Sequence, residues 1–149
     1  MVELKILKNR KRGPYVEFNT TGENWDNSSI FLDEVVFGVF SNSFDNSHEN
    51  FNYYGPTAFR ELELINLHNE LKEFGSEMSG IFDFDSFLKT ISTSPMGNNF
   101  LGELASEDKV NLKLQWNQVV KALKEINQTL LELIENCAKE NKTLWVLGI

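Results

Sequence analysis

The sequence predicts a single α+β domain, residues 1–149: an antiparallel sheet of about four to five strands packed against one long C-terminal helix and one or two shorter helices. Three observations predict it. Apolar residues alternate at period 2 in VELKILK, YVEFN and IFLDEVVFGVF, and a β-prone apolar stretch returns in the closing LWVLGI. Two other stretches, 58–75 and 106–139, repeat apolar residues every three to four positions, as an amphipathic helix does. Finally, 149 residues that are 41% hydrophobic and 12% aromatic are enough to bury roughly 70% of the unfolded chain's surface in one core.

Each element follows in order. VELKILK and YVEFN flank the turn cluster NRKRGP and read as a β-hairpin, with the basic residues Lys8 to Arg12 on its loop. They are either a solvated tip or a contact for an anion or acidic surface. After the polar NTTGENWDNSS, IFLDEVVFGVF reads as a central strand with Val35, Phe37 and Val39 on one face. Gly38 marks a bulge or close approach. SNSFDNSHEN, almost wholly polar, reads as an exposed, mobile loop. Phe51 to Tyr54 resume a strand that Gly55 and Pro56 stop, and Thr57 stands as the N-cap of a helix that Gly75 ends. Its apolar face holds Phe59, Leu62, Leu64 or Ile65, Leu67, Leu71 and Phe74. IFDFDSFLKTIST reads as a short helix capped by Asp83, and SPMGNNFLGELA as a loop. The long helix opens at Ser106 with Glu107 and Asp108, acids that suit a helix N-terminus. Its stripe runs Leu112, Trp116, Val119, Leu123, Ile126, Leu130, Leu133 and Cys137. KTLWVLGI is a final strand inserted into the sheet.

Composition excludes several classes. The net charge is −8. Lys5, Lys8, Arg10, Lys11 and Arg12 against Glu3 give the first twelve residues +4, so the rest carries −12. Nonspecific nucleic-acid binding needs clustered Lys and Arg, so no nucleic acid is expected, and a basic partner suits the chain better. The N-terminus places charges after its apolar alternation, unlike a signal peptide, and no apolar run approaches the length of a membrane span. A cytoplasmic protein is expected. The single cysteine, Cys137, cannot form an internal disulfide and reads as a small core residue.

No motif for nucleotide, dinucleotide or zinc binding occurs, and no nucleophile elbow. His48 and His68 have no acid or nucleophile at motif spacing, and Asp83 and Asp85 read as a cap and a surface acid. Neither cofactor nor metal nor catalysis is expected. What remains is a surface where acids and aromatics lie close in sequence: Trp25, Asp26, Asp33, Glu34, Asp45, Glu49, Tyr53 and Tyr54, with Glu23 nearby. Tyr and Trp concentrate binding energy, and carboxylates attract and orient basic partners. If a strand continued through Tyr53 and Tyr54, one of the two would be exposed.

At YYGPTAF followed by a Leu-rich helix, and again at LWVLGI, the chain resembles bacterial immunity proteins that accompany polymorphic or contact-dependent toxins. The resemblance covers two short motifs and the strand-then-helix order. It implies a cytoplasmic α+β protein that binds and blocks one toxin domain, and an acidic inhibitor would suit a basic nuclease. The alternative reading is an oligomeric scaffold or adaptor, for instance a homodimer, assembled through the helix 106–139. Dissociation by Leu123→Glu without unfolding would favour it.

Overall fold

A computed structural model of the chain describes residues 2–9, 13–107 and 110–148. Arg10, Lys11 and Arg12 of the basic loop lie outside the described residues. The elements run β1 (Tyr15–Asn19), β2 (Ile30–Asp33), α1 (Glu34–Ser47), β3 (Pro56–Phe59), α2 (Leu62–Ser79), α3 (Phe84–Ile91), α4 (Pro95–Ala105), α5 (Leu112–Lys139) and β4 (Leu144–Leu147). The four strands form one antiparallel sheet in the order β2-β1-β4-β3. The fold is α+β with a long C-terminal helix, as the sequence predicts, but among the described residues it has four shorter helices rather than one or two.

The closing strand is inserted as expected. β4 lies between β1 and β3, with Phe18 opposite Val146 and Thr57 opposite that same Val146. Strand side chains alternate across the sheet, so Val16, Phe18, Leu144 and Val146 join Phe59 in the main core. On the other face Leu7, Tyr15 and Phe31 form a small second cluster.

The N-terminal hairpin is not formed. Residues 2–9 hold no strand, and Leu7 instead bridges Phe31 of β2, with N–H···O bonds of 2.9 and 2.8 Å. The physical reason is an open edge: β2 ends the sheet, and Leu7 satisfies Phe31 backbone groups that β1 cannot reach.

The largest correction concerns 34–47. EVVFGVF and the polar SNSFDNS after it are one helix, and the strand before it stops at Asp33. Asp33 is the reason, because its Oδ1 accepts from the Val35 N–H at 2.9 Å and caps the first turn. Val36, Phe37, Phe40 and Phe44 then recur at helical spacing and are fully buried. The polar half does not float in solvent: Ser41 and Ser47 are buried and donate to the Gly38 and Phe44 carbonyls, both at 2.9 Å. A serine that bonds back to its own helix carries no unpaired hydroxyl into the core.

Four helix boundaries also differ. The long helix does not open at Ser106, which is the C-cap of α4; α5 begins at Leu112 after Asn111, because the Ser106 N–H closes the last turn of α4 on the Gly102 carbonyl. Thr57 is no cap but a buried residue of β3, its hydroxyl accepting from the Asn52 N–H at 2.9 Å. Gly75 does not end α2, which runs on to a cap at Gly80. A Cβ at Gly75 would lie 3.0 Å from the Asn127 amide nitrogen, so this glycine lets α5 approach closely. The segment read as a loop, SPMGNNFLGELA, is α4: Ser94 accepts from the Gly97 N–H, and Pro95 occupies the first turn. Asp83 caps α3 as expected, in a reciprocal capping box with Ser86.

α1 packs against α2 and α4 and touches β1 and β2, while α2 and α3 pack against α5. Most of the stripe of α5 is thereby covered within this chain: Leu123, Ile126, Leu130 and Cys137 are 2% exposed or less, while Leu112, Trp116 and Leu133 are partly buried against the core. Seven phenylalanines, at 18, 37, 40, 44, 59, 87 and 100, are less than 2% exposed. Each such burial contributes roughly 1.5–3 kcal/mol, so the aromatic richness is mostly core and only the few exposed aromatics bear on recognition.

Candidate functional site

One face of α1 from Glu34 to Asp45, the turn 51–54 and α4 enclose a groove of about 480 Å³. Glu34 and Asp45 stand on its α1 wall, Phe51, Tyr53 and Tyr54 on the turn, and Met96 and Asn99 on α4. Gly38 sets the width between helices: a Cβ there would lie 3.3 Å from that of Met96. Ser41 reaches the Met96 sulfur at 3.2 Å and fixes the floor.

The turn is not the expected strand. The Asn52 side chain accepts from the Tyr54 N–H at 3.1 Å, and the Gly55 N–H bonds the Asn52 carbonyl at 3.4 Å. This Asx-type turn splays the two tyrosines, whose rings meet edge to face with centroids 5.0 Å apart at 82°. Tyr54 is 76% exposed, whereas Tyr53 is half-buried against Phe37 and donates its hydroxyl to Glu34 Oε1 at 3.2 Å. Burial first, and the Glu34 charge second, push the Tyr53 phenol well above its ordinary value of 10.0. It stays protonated and oriented at neutral pH. The result is two carboxylates beside aromatic faces, an arrangement that attracts an ammonium or guanidinium by charge and by cation–π contact.

The eight residues singled out in the sequence divide. Glu34, Asp45, Tyr53 and Tyr54 meet in this groove. Asp33 does not: one oxygen caps α1 and the other accepts from the Glu3 N–H at 3.2 Å. Asp26 is occupied by the hydroxyl and then the backbone N–H of Ser28, which lower its pKa below the ordinary carboxylate value. Glu49 is exposed beyond the end of α1 and lines no part of the groove.

Trp25 sits apart, in the loop between β1 and β2, 66% exposed and with φ +61°. That backbone region is an outlier for a bulky residue and costs about 1–3 kcal/mol. Glu17, only 5% exposed, holds it: the carboxylate accepts from the Trp25 N–H at 2.7 Å, from Asn19 at 3.3 Å and from the Ser29 hydroxyl. A buried carboxyl group thus fixes a loop that presents an indole.

Sequence reasoning missed the rest of the groove, because α1 read as a strand and α4 as a loop. The signals were Asp33 before a helical Val36, Phe37, Phe40, Phe44 spacing, and the Ser94-Pro95 cap.

Both histidines have partners. His48 Nδ1 accepts from the Asn50 N–H at 3.0 Å, which leaves the proton on Nε2, 2.9 Å from the Ala58 carbonyl and 3.4 Å from Glu63. It ties the end of α1 to β3. His68 joins Glu135 at 3.0 Å across α2 and α5. Burial chiefly, with Glu140, pushes the buried Cys137 thiol up, away from the reactive thiolate. Among the described residues no group of three or more His, Cys, Asp or Glu could hold a metal ion, and no helix is long and apolar enough to cross a membrane.

What fold and site define together is an α+β protein with an acid-and-aromatic groove beside a capped helix. Comparison of the chain with protein-family models, curated proteins and solved structures returns no match.

Proposed function

We propose that the chain is a non-catalytic cytoplasmic binding protein that docks a basic protein, most simply as an immunity protein that blocks a bacterial toxin domain such as a basic nuclease. One observation carries this reading: Glu34 and Asp45 face Tyr53 and Tyr54 across one groove. The net charge of −8 adds long-range attraction, which for oppositely charged partners speeds encounter about 10- to 1000-fold. The exposed Tyr54 supplies a rigid aromatic contact of the kind that dominates interface energies. Trp25 offers a second one at a separate place. The resemblance of YYGPTAF and LWVLGI to immunity proteins supplies the kind of partner. An assembly through α5 has less to stand on, because most of the stripe it would use is already covered by α2 and α3.

The test is capture from lysate of the source organism with wild-type chain and with the variant Glu34→Lys, Asp45→Lys, Tyr54→Ala. Asp33 is left intact, since its loss would measure helix capping. A stoichiometric basic toxin domain whose activity is blocked by the wild type, and which the variant binds at least about tenfold more slowly at low salt, would support the proposal. Recovery of the bait alone, or equal capture by both chains, would overturn it.

A further inference from the structure

Glu34 opens α1 and Asp45 stands in its last turn. Their spacing along the helix turns them to within about 20° of one face and separates them by roughly 16 Å along the axis. One cation cannot meet both, so the groove is a channel with an acid at each end. Gly38, Ser41 and Asn42 follow along the same face between the acids and line the channel. Gly38 has no side chain and the Ser41 hydroxyl is already given to the Gly38 carbonyl, so the floor is low. The ends differ in chemistry. Glu34 Oε1 accepts the Tyr53 hydroxyl at 3.2 Å, and no partner is found for Oε2 among the described residues. With the tyrosine rings beside it, this end suits a planar guanidinium that meets a carboxylate and an aromatic face together. Asp45 is exposed at the end of α1 where the helix dipole is negative, and no basic residue stands in that turn. A cation from elsewhere would relieve both.

The walls say what conformation enters. Asn42, between the acids on α1, and Asn99, across on α4, are both exposed, and neither side-chain amide has a hydrogen-bond partner among the described residues. An amide side chain both donates and accepts, which matches the unpaired N–H and C=O groups of an extended backbone. A helix keeps those groups for itself. The size agrees: about 480 Å³ spread over roughly 16 Å of helix leaves a mean section of roughly 30 Å², narrower than a helix with its side chains, about 10–12 Å across.

We infer that the channel binds an extended segment of the partner with two basic side chains about four residues apart, an arginine at Glu34 and an arginine or lysine at Asp45, its backbone amides on Asn42 and Asn99. This rests on the groove's docking a basic protein, and it specifies which piece of that protein enters. Spacing sets the motif. Extended residues rise about 3.3 Å each and alternate between faces. Basic residues four apart thus share a face at roughly 13 Å and span roughly 16 Å by leaning outward. Two apart they stand at only roughly 7 Å, and three apart they point to opposite faces. A helix needs about eleven residues for the same span.

The probes are end-blocked peptides of serine and threonine with two arginines placed two, three or four residues apart, and an alanine-rich helical peptide with its two arginines eleven apart. All carry the same charge. Each is titrated into the full chain and followed by amide chemical shifts. A saturable site is expected, with the largest shifts at Gly38, Asn42 and Asn99. Loss of one charge-assisted contact is worth about tenfold or more in Kd, so the four-residue spacing should bind at least about tenfold more tightly than the other two. The double variant Asn42→Ala, Asn99→Ala, which changes no charge, should weaken that peptide severalfold. Unsaturable binding, equal Kd across the spacings, shifts centred on the acids of α2, or tighter binding of the helical peptide would overturn the inference. The two readings fail separately. A toxin domain captured from lysate beside a flat spacing series sinks only the extended segment, whereas a spacing optimum with no basic protein captured upholds the segment and sinks the toxin.

Discussion

At Glu77, in the cleft between α1 and α2 that Glu70 and Glu73 also line, crowded acids make themselves felt in stability. Burial is the first cause of its raised pKa, and the charges of Glu73 and Glu70 on the same helix face follow. An acid whose pKa is higher in the folded chain binds protons more tightly there than when unfolded. Stability is then greatest below its ordinary value of 4.5 and falls as pH rises through the raised folded value. Replacing Glu77 with Gln removes that penalty. Urea titrations should show the two chains alike well below pH 4.5 and the variant the more stable at neutral pH. A wild type that is equally or more stable at neutral pH would mean that a cation already balances the carboxylates, or that the side chain is better solvated than its position implies. Tyr53 shows the same logic on the other flank of α1, where burial and Glu34 keep a phenol protonated and able to donate.

At the scale of elements, the fate of each segment follows from how unambiguous its period was. α2, α3 and α5 were legible because their apolar residues recur at three and four for whole helices, and a strand cannot satisfy that spacing. α1 was not, since in EVVFGVF the set Val35, Phe37, Val39 answers to period 2 while Val36, Phe37, Phe40 answers to period 3.6. The tie is broken by Asp33, whose capping bond lies outside the pattern, and by serines that satisfy themselves along the helix. α4 hid because Gly97 is a poor helix former; it is required there, as a Cβ would fall 1.8 Å from the Ile91 carbonyl oxygen. Half of the candidate residues were therefore found from type and proximity, Glu34, Asp45, Tyr53 and Tyr54, whereas the far wall on α4 was not. The same reasoning bears on Leu123→Glu, whose dissociation without unfolding would have favoured the scaffold. Leu123 is fully buried, so the substitution places an unpaired carboxylate in the core, a change costing about 4 kcal/mol or more. It should unfold the chain or lower its urea midpoint severely, whereas Leu114→Glu, at a residue 78% exposed, should leave the midpoint unchanged. A folded Leu123→Glu chain of half the wild-type mass by light scattering would restore self-assembly through α5.

For the whole molecule, the decisive feature is that the last strand is a central one. β4 pairs with β1 on one side and β3 on the other, so nearly the full chain must be in place before the sheet closes, and contacts of such separation form late and slowly. The closure also builds the groove. The Gly148 N–H bonds the Gly55 carbonyl at 3.1 Å, and a Cβ at Gly148 would stand 2.1 Å from the Tyr53 carbonyl oxygen, so the end of β4 lies directly against the tyrosine turn. Without β4, β3 has no strand partner, β1 and β2 remain as a lone pair, and Leu144 and Val146 leave the core. A two-stranded pair is at best marginal in water. A chain ending at Thr143 is therefore expected to show no cooperative urea transition and little near-UV dichroism, and a peptide of residues 140–149 added in trans should restore part of both. If the shortened chain unfolds cooperatively at the wild-type midpoint, the sheet does not depend on β4, and the tyrosine turn must be held by Asn52 and Glu34 alone.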